Sequence, residues 1–402
     1  MCNSKLFESV KKSKNINFSN ASKKLMGLLK RSKKTAQRLI GDNKIKHTLI
    51  PVSNRNELVM NSLFNLTQNI QDIREYILAN TTHILRFEFS LPYLDKHRTF
   101  VVHFSVFNKD DIPKYHKYMT TIVTFLVFLS MHGELKCSTR MNLYMNLTPF
   151  KKHIPSSSMT QLTETNVNSA ITYVCKREGE IFIYREEEWI KVLIHECFHS
   201  FGLDFSGFMT DKMNDKLHKM FNTSLTEFDA QESYCEFWAT YLNVIYIVLQ
   251  MNIKSENVLP MIEYLMLMEA HHSLFQMNKV LEHYHTNYKL ITKPQLESSF
   301  ILQSTPVFSY YVLKSILMYN YRDFIEYCYD DNYQIMKFKR TKTNVDKFLR
   351  FVRFMIPRLN DDVEKLSSFY NTVAKKSSTS GDYEKYANTM RMSLLEYKIE
   401  PF

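Results

Sequence analysis

Glycine is scarce in this chain, 7 of 402 residues, and so are paired cysteines and long apolar runs. The six cysteines (Cys2, Cys137, Cys175, Cys197, Cys235, Cys328) include no CxxC pair and no disulfide-like spacing. That excludes a small disulfide-built module and, with no signal peptide in view, predicts reduced thiols in an intracellular, cytoplasmic setting. The longest apolar run, residues 119–131, falls short of the roughly 20 residues a membrane helix needs, so no transmembrane segment is expected. Internal repeats are absent as well, which excludes a solenoid. Outside one segment there is no charge excess: residues 1–50 hold thirteen Lys and Arg against Glu8 and Asp42, a surplus equal to the whole formal charge of +11. A global basic-protein reading therefore fails, and any polyanion site belongs in residues 1–46.

What is present is a large apolar and aromatic complement, 45% and 14%, enough to bury a sizeable core. In residues 21–41 Leu25, Leu29, Ala36 and Leu39 or Ile40 recur at helical spacing, with Lys23, Lys24, Lys30, Arg31, Lys33, Lys34 and Arg38 on the other face. This cationic amphipathic helix could meet nucleic acid or an anionic membrane, act as a targeting peptide, or simply dock by its Leu stripe as a solvated extension. Beyond it a helix is predicted over 57–78. Strand-like runs follow at 84–90, 99–107, 141–147, 170–175 and 180–184, the last two joined as a hairpin, with a helix over 113–131 between them. After Glu186 strand signals nearly vanish, and helices are predicted near 227–251, 257–287, 296–329, 344–374 and 383–396, with a polar loop over 375–381. The pattern predicts an α+β fold in two lobes: a basic arm over 1–50, an α+β lobe with a mixed sheet over 51–205, and a helical lobe over 206–402.

At the junction of the lobes the sequence runs Trp189-Ile190-Lys191-Val192-Leu193-Ile194-His195-Glu196-Cys197-Phe198-His199-Ser200-Phe201-Gly202. On a helix His195 and His199 share a face and can reach one tetrahedral metal ion. Glu196, a quarter turn round, can sit beside an open coordination position and take a proton from water there. The helix is otherwise uncharged at Val192, Leu193, Cys197, Phe198 and Phe201, and Gly202 stops it. A core helix with two incidental histidines is the plainer alternative. It requires burying two imidazoles and a carboxylate without a partner.

The segment resembles the zincin metallopeptidases, whose signature is HExxH, and the likeness covers residues 165–245. It implies one zinc ion per chain, a peptide or protein substrate, Glu196 as general base, and a two-lobed fold with the active-site helix after a mixed sheet. The metzincin form of the pattern would place a third ligand where this chain has Phe205. The gluzincin form takes a Glu from a second helix, and Gln231-Glu232-Ser233-Tyr234-Cys235-Glu236 suits it. The resemblance thus implies His195, His199 and Glu232 as ligands and Glu236 as the carboxylate that orients His195. The roles of Glu232 and Glu236 could be exchanged, or the two could be an ordinary solvated pair. Asp204, Asp211, Asp215 and His218 are more distant ligand candidates. Zincins bind the substrate backbone along an antiparallel edge strand, here 170–175 or 180–184. An oxyanion stabiliser is sought at Tyr310, Tyr311, His271 or His272. The AT-rich style of composition also suits HExxH proteins of large DNA viruses, hence a virion or host-cytoplasm setting, a likeness that no particular residue carries. The competing reading is a non-catalytic zincin-fold structural or regulatory protein whose basic arm binds nucleic acid or an anionic membrane.

Overall fold

The computed structural model describes residues 16–54, 58, 62–93, 96–293, 295–359, 362, 363, 365 and 388–399. Six strands form one mixed sheet in the order β1-β2-β3-β4-β6-β5: β1 Lys46–Pro51, β2 His83–Tyr93, β3 Lys96–Val106, β4 Arg140–Thr148, β5 Ala170–Thr172 and β6 Glu178–Arg185. The centre, β3-β4-β6, is parallel; β1 and β2 extend one side antiparallel, and β5 closes the other as an antiparallel edge. β6 is buried on both faces: Ile181 and Ile183 enter the main core, while Phe182 and Tyr184 pack into a smaller cluster with Phe64, Ile73 and Ile77. That continuous apolar run is what an interior parallel strand requires.

The helices used below are α1 Ile16–Gly41, α2 Gln71–Asn80, α3 Ile112–Ser130, α4 Trp189–Ser200, α5 Thr210–His218, α6 Ala230–Gln250, α7 Ser255–His283, α8 Lys314–Tyr319, α9 Tyr321–Asp331 and α10 Lys342–Met355. α2 packs on β4, and α4 lies against β5, β6 and α6. α3 covers the 119–131 run and buries thirteen of its nineteen residues, so that run is a core helix. α1 is seated against α3, α6 and α9, with Phe18, Leu25, Leu29 and Ala36 buried and Lys23, Lys24, Lys30, Arg31, Lys34 and Arg38 exposed. The Leu stripe thus docks on the protein body. One continuous core joins α1, the sheet and the later helices. Among the described residues no helix is long and apolar enough to cross a membrane.

The mixed sheet and helix-rich second half agree with an α+β class at the coarse level. Several details differ from expectation. β1 straddles the 50/51 boundary, and its residues are all exposed, so it lacks the alternation that marks a strand in sequence. The long helix expected over 296–329 is irregular before Val307 and broken at Asn320. Residues 388–399, expected in a helix over 383–396, run extended, because their backbone groups bond to the body of the protein (below). Cys2, residues 1–15, Glu57, the end of the 344–374 helix beyond 365 and the 375–381 loop lie outside the described residues. Cys137 and Cys175 form a disulfide with Cα atoms 4.5 Å apart, which corrects the expectation of wholly unpaired thiols. The two lie on separate loops 38 positions apart, and only the parallel pairing of β4 with β6 brings those loops together.

Candidate metal centre

α4 follows β6 after three residues and presents His195 and His199 one turn apart on the face toward α6. Its start is fixed by Trp189, stacked on Tyr118 with ring centroids 4.7 Å apart. Its end is fixed by Gly202 at φ +67°, whose N–H donates to the His199 carbonyl while that of Leu203 donates to Phe198. A side chain at 202 would meet Cys137 Sγ at 3.1 Å, so glycine serves both the left-handed turn and the close approach.

Three atoms converge in front of this face. His195 Nε2 and His199 Nε2 are 3.2 Å apart, and Glu232 Oε2 from α6 is 3.1 Å from the first and 3.3 Å from the second. A tetrahedral zinc with bonds of about 2.0–2.1 Å has ligand atoms separated by roughly 3.3–3.4 Å, so the triangle already has the size a zinc ion imposes. The opposite ring nitrogens are turned to carboxylates. His199 Nδ1 faces Asp204 Oδ2, and Glu236 Oε1 lies 2.9 Å from His195 Nδ1. The second contact has ion-pair distance but lies off the N–H line, so His195 Nδ1 lacks an aligned hydrogen-bond acceptor. With a proton on each Nδ1, both Nε2 atoms and the Glu232 oxygen offer lone pairs to one point. Such an arrangement repels itself unless a cation occupies the point. The donor set therefore fits zinc.

Electrostatics agree. Burial opposes charge on both histidines, yet the hydrogen bond to Glu232 and the adjacent Glu236 carboxylate push His195 up to about 9, and Cys235, Glu232 and Asp204 hold His199 well above its ordinary value. Without a metal, protons take the metal's place. Burial would raise Glu232, but His199 and His195 hold it far below the usual carboxylate range. Glu196 goes the other way: burial raises it, only partly offset by the two histidines.

Around the triangle, Glu196 and Tyr310 line one pocket with Val192, His195, Met392 and residues Asn168, Ser169 and Ala170 at the start of β5. Of the two edge candidates β5, part-buried, is therefore the edge strand beside the site, whereas β6 is interior. Tyr310 sits in a π-helical turn, Ser309–Leu313, with its ring centroid 6.1 Å from His195. Its neighbour Tyr311 donates its hydroxyl to the Met390 carbonyl, turned away from the triangle. His271 bonds back to Leu267 in its own helix and His272 faces the Arg391 carbonyl, so neither joins the cluster. Asp211, Asp215 and His218 are exposed on α5.

Asp204, considered above as a ligand, is fully buried and engages the far side of His199, where Ser206 N–H and Oγ also donate to it and Arg340 stands 3.6 Å away. Cys235 Sγ lies 3.4 Å from Asp204 Oδ2 and completes a second close grouping with His199. That grouping uses the Nδ1 already committed to Asp204, and burial raises the thiol well above its ordinary range, so it backs the ligand and does not rival the first triangle. Two residues escaped sequence reasoning altogether. Lys191, one turn before His195, and Lys314 both reach Glu236, Lys191 at 2.8 Å from each carboxylate oxygen and Lys314 at 3.3 Å from one. Lys191 gave a signal, since a lysine stands alone among the apolar residues of α4; Lys314 gave none. No protein-family model, curated protein or solved structure matches the chain.

Proposed function

We propose that the protein is a zinc-dependent peptidase of the gluzincin type. The observation that carries this reading is the triangle of His195, His199 and Glu232 donor atoms, closed to 3.1–3.3 Å with no cation of the chain inside it. These three residues would hold the metal. When bound, zinc supplies a Lewis acid that polarises a carbonyl and lowers the pKa of a water to about 7. The rest falls to the chain. β5 offers an unpaired strand edge on which an extended peptide can be laid. Glu196, raised by burial, accepts the proton of the attacking water near neutral pH and can pass it to the leaving amine. Tyr310, in the same pocket, is placed to donate its hydroxyl to oxygen charge developing on the peptide carbonyl. Asp204 and Glu236 keep the two imidazoles oriented.

The test is elemental analysis of purified wild type, His199→Ala, Glu232→Gln and Glu196→Gln, with a peptide-library assay. Zinc near one per chain in wild type and Glu196→Gln, lost in the other two, with hydrolysis reduced roughly 10²–10⁴-fold in Glu196→Gln, is the expected result. Folded wild type that takes up no zinc overturns the reading.

A second function is favoured by the exposed cations of α1. Because most of its apolar stripe lies in the core, with only Ile16 and Ile40 exposed, a partner meets mainly its charges, which suits a phosphate backbone better than membrane insertion. Changing Lys23, Lys30, Lys34 and Arg38 to Gln should abolish a salt-sensitive affinity for nucleic acid and leave zinc content unchanged.

A further inference from the structure

Beneath the metal triangle lies a group of six charged side chains, all buried: Lys152, Glu188, Lys191, Glu236, Glu269 and Lys314. Three positive and three negative charges cancel, but burial strips each of water, and each needs hydrogen bonds from the protein. Part of that solvation comes from residues 388–395. This stretch runs antiparallel to 152–154, with Ile154 N–H donating to the Asn388 carbonyl and Met390 N–H to that of Lys152, both at 3.0 Å. Further on its peptide groups turn to the charges. Met392 and Ser393 N–H donate to Glu188 at 3.3 and 2.6 Å, and Leu394 and Leu395 N–H donate to Glu269 at 3.0 and 2.9 Å. Ser393 Oγ adds a bond to Glu269, and Lys314 Nζ donates to the Met392 carbonyl. Glu188 also bonds Lys152 and sits at φ +60° immediately before α4, a left-handed conformation that these contacts hold in place.

One member of the group, Glu236, also touches a metal ligand, at 2.9 Å from His195 Nδ1. Its carboxylate is gripped from two sides. Lys191 comes from the helix of His195, and Lys314 from the turn after the π-helical segment, where it is anchored in turn to Met392. Removing Lys314 would leave Lys191 as the one lysine on the carboxylate and let the carboxylate swing toward Lys191, away from His195.

We infer that Lys314 and the segment 388–395 are positioning elements of the metal centre: the segment seats Lys314, Lys314 and Lys191 seat Glu236, and Glu236 orients His195. The inference rests on the zinc reading above. It assigns the last stretch of the described chain a role in metal affinity, although that stretch contributes no ligand.

The test uses full-length Lys314→Met and Ser393→Pro, the latter removing an N–H that Glu188 requires. Glu263→Gln, which breaks the pair between buried Glu263 and part-exposed Arg322, serves as a control for general destabilisation. Zinc affinity is read by competition with a chromophoric chelator, and ligand geometry by the visible spectrum of the Co²⁺-loaded protein. Roughly tenfold weaker zinc binding and a changed Co²⁺ spectrum are expected for the first two variants, as for loss of outer hydrogen-bond partners generally. Lys314→Arg should recover most of the affinity, and Glu263→Gln should lower the melting temperature with affinity unchanged. Should Lys314→Met or Ser393→Pro fail to fold, Ser393→Ala, which deletes only the hydroxyl bond to Glu269, reads the same coupling as a smaller loss. Unaltered affinity and spectrum in variants that merely melt earlier would make the segment a structural element only and overturn the inference. Wild type that binds neither zinc nor Co²⁺ would overturn it together with the peptidase reading, and that outcome is visible before any variant is made.

Discussion

Two buried polar clusters meet at Glu236, and they are built on opposite plans. In the lower one every carboxylate has a lysine or peptide N–H against it: Glu188 has Lys152, Glu236 has Lys191 and Lys314, and Glu269 has the 393–395 backbone and hydroxyl groups. In the upper one His195 Nε2, His199 Nε2 and Glu232 Oε2 converge on one point that no Lys or Arg among the described residues reaches, so protons on the histidines supply the positive charge until a metal replaces them. A balanced cluster is a scaffold; an unbalanced one of the same burial is a place for a cation. The difference explains why a protein would bury so many charges side by side.

The comparison breaks most visibly in the scaffold. Lys191→Met leaves Glu236 under-compensated in a buried site and should cost about 3–5 kcal/mol of unfolding free energy, measured by urea denaturation of the metal-free protein. A loss below about 1 kcal/mol would show that the lower cluster is not the tightly coupled unit described. In the triangle the corresponding change acts on affinity. His199→Ala or Glu232→Gln should weaken zinc binding by more than about a hundredfold, beyond the range for outer partners, with metal-free stability falling only by the lost pairing between the protonated histidines and Glu232. Metal-free unfolding curves and chelator competition together decide whether the two clusters respond in these opposite ways.

Smaller and slower to appear is the pH dependence. In the metal-free protein His195 is raised from 6.5 to about 9, so the folded state holds its proton more tightly than the unfolded chain. That stabilisation is complete below pH 6.5 and fades as pH rises through about 9. Zinc must displace the same proton, so zinc affinity should climb over this window and level off above it, with proton release measurable by calorimetry in buffers of different ionisation enthalpy. Zinc affinity independent of pH between 6.5 and 9 would contradict the proton-for-metal exchange. A second pH dependence, on the acid side, is expected at His272, which is buried against the Arg391 carbonyl and pushed down to about 3 by burial first and Lys314 second. Because it stays neutral in the fold, the stability it leaves intact above pH 6.5 is lost as pH falls toward 3. His272→Gln should flatten the acid limb of the stability profile.

Much of the upper cluster was legible along the chain because helix geometry is local. His195 and His199 share a face by spacing alone, and two glutamates on the apolar stripe of α6 announce that something must neutralise them. Gly202 as a stop belongs to the same class. The lower cluster was illegible for the opposite reason. Lys191 meets Glu236 across 45 positions and Lys314 across 78, while Glu188 meets Ser393 across 205, and no periodicity links residues so far apart. The course of 388–395 was hidden for the same cause: its residues have the spacing of a helix, but the N–H groups of 392–395 find better-placed acceptors in buried carboxylates. The Cys137–Cys175 link likewise had no signature until two strands were laid side by side.

By itself, then, the sequence determined the helix that carries His195 and His199, the second helix with Glu232 and Glu236, the α+β order of elements and the apolar stripe of α1, whose docking was left open, since each depends on contacts within a turn or two or on apolar periodicity. Tertiary structure alone decided that the donor atoms close to 3.1–3.3 Å, that Asp204 backs His199, and that β5 is the edge beside Glu196. It alone seated Lys314 and the 388–395 segment beneath Glu236. Those outcomes depend on which buried charge finds which partner, and that choice is made only when the core excludes water and distant segments must satisfy one another.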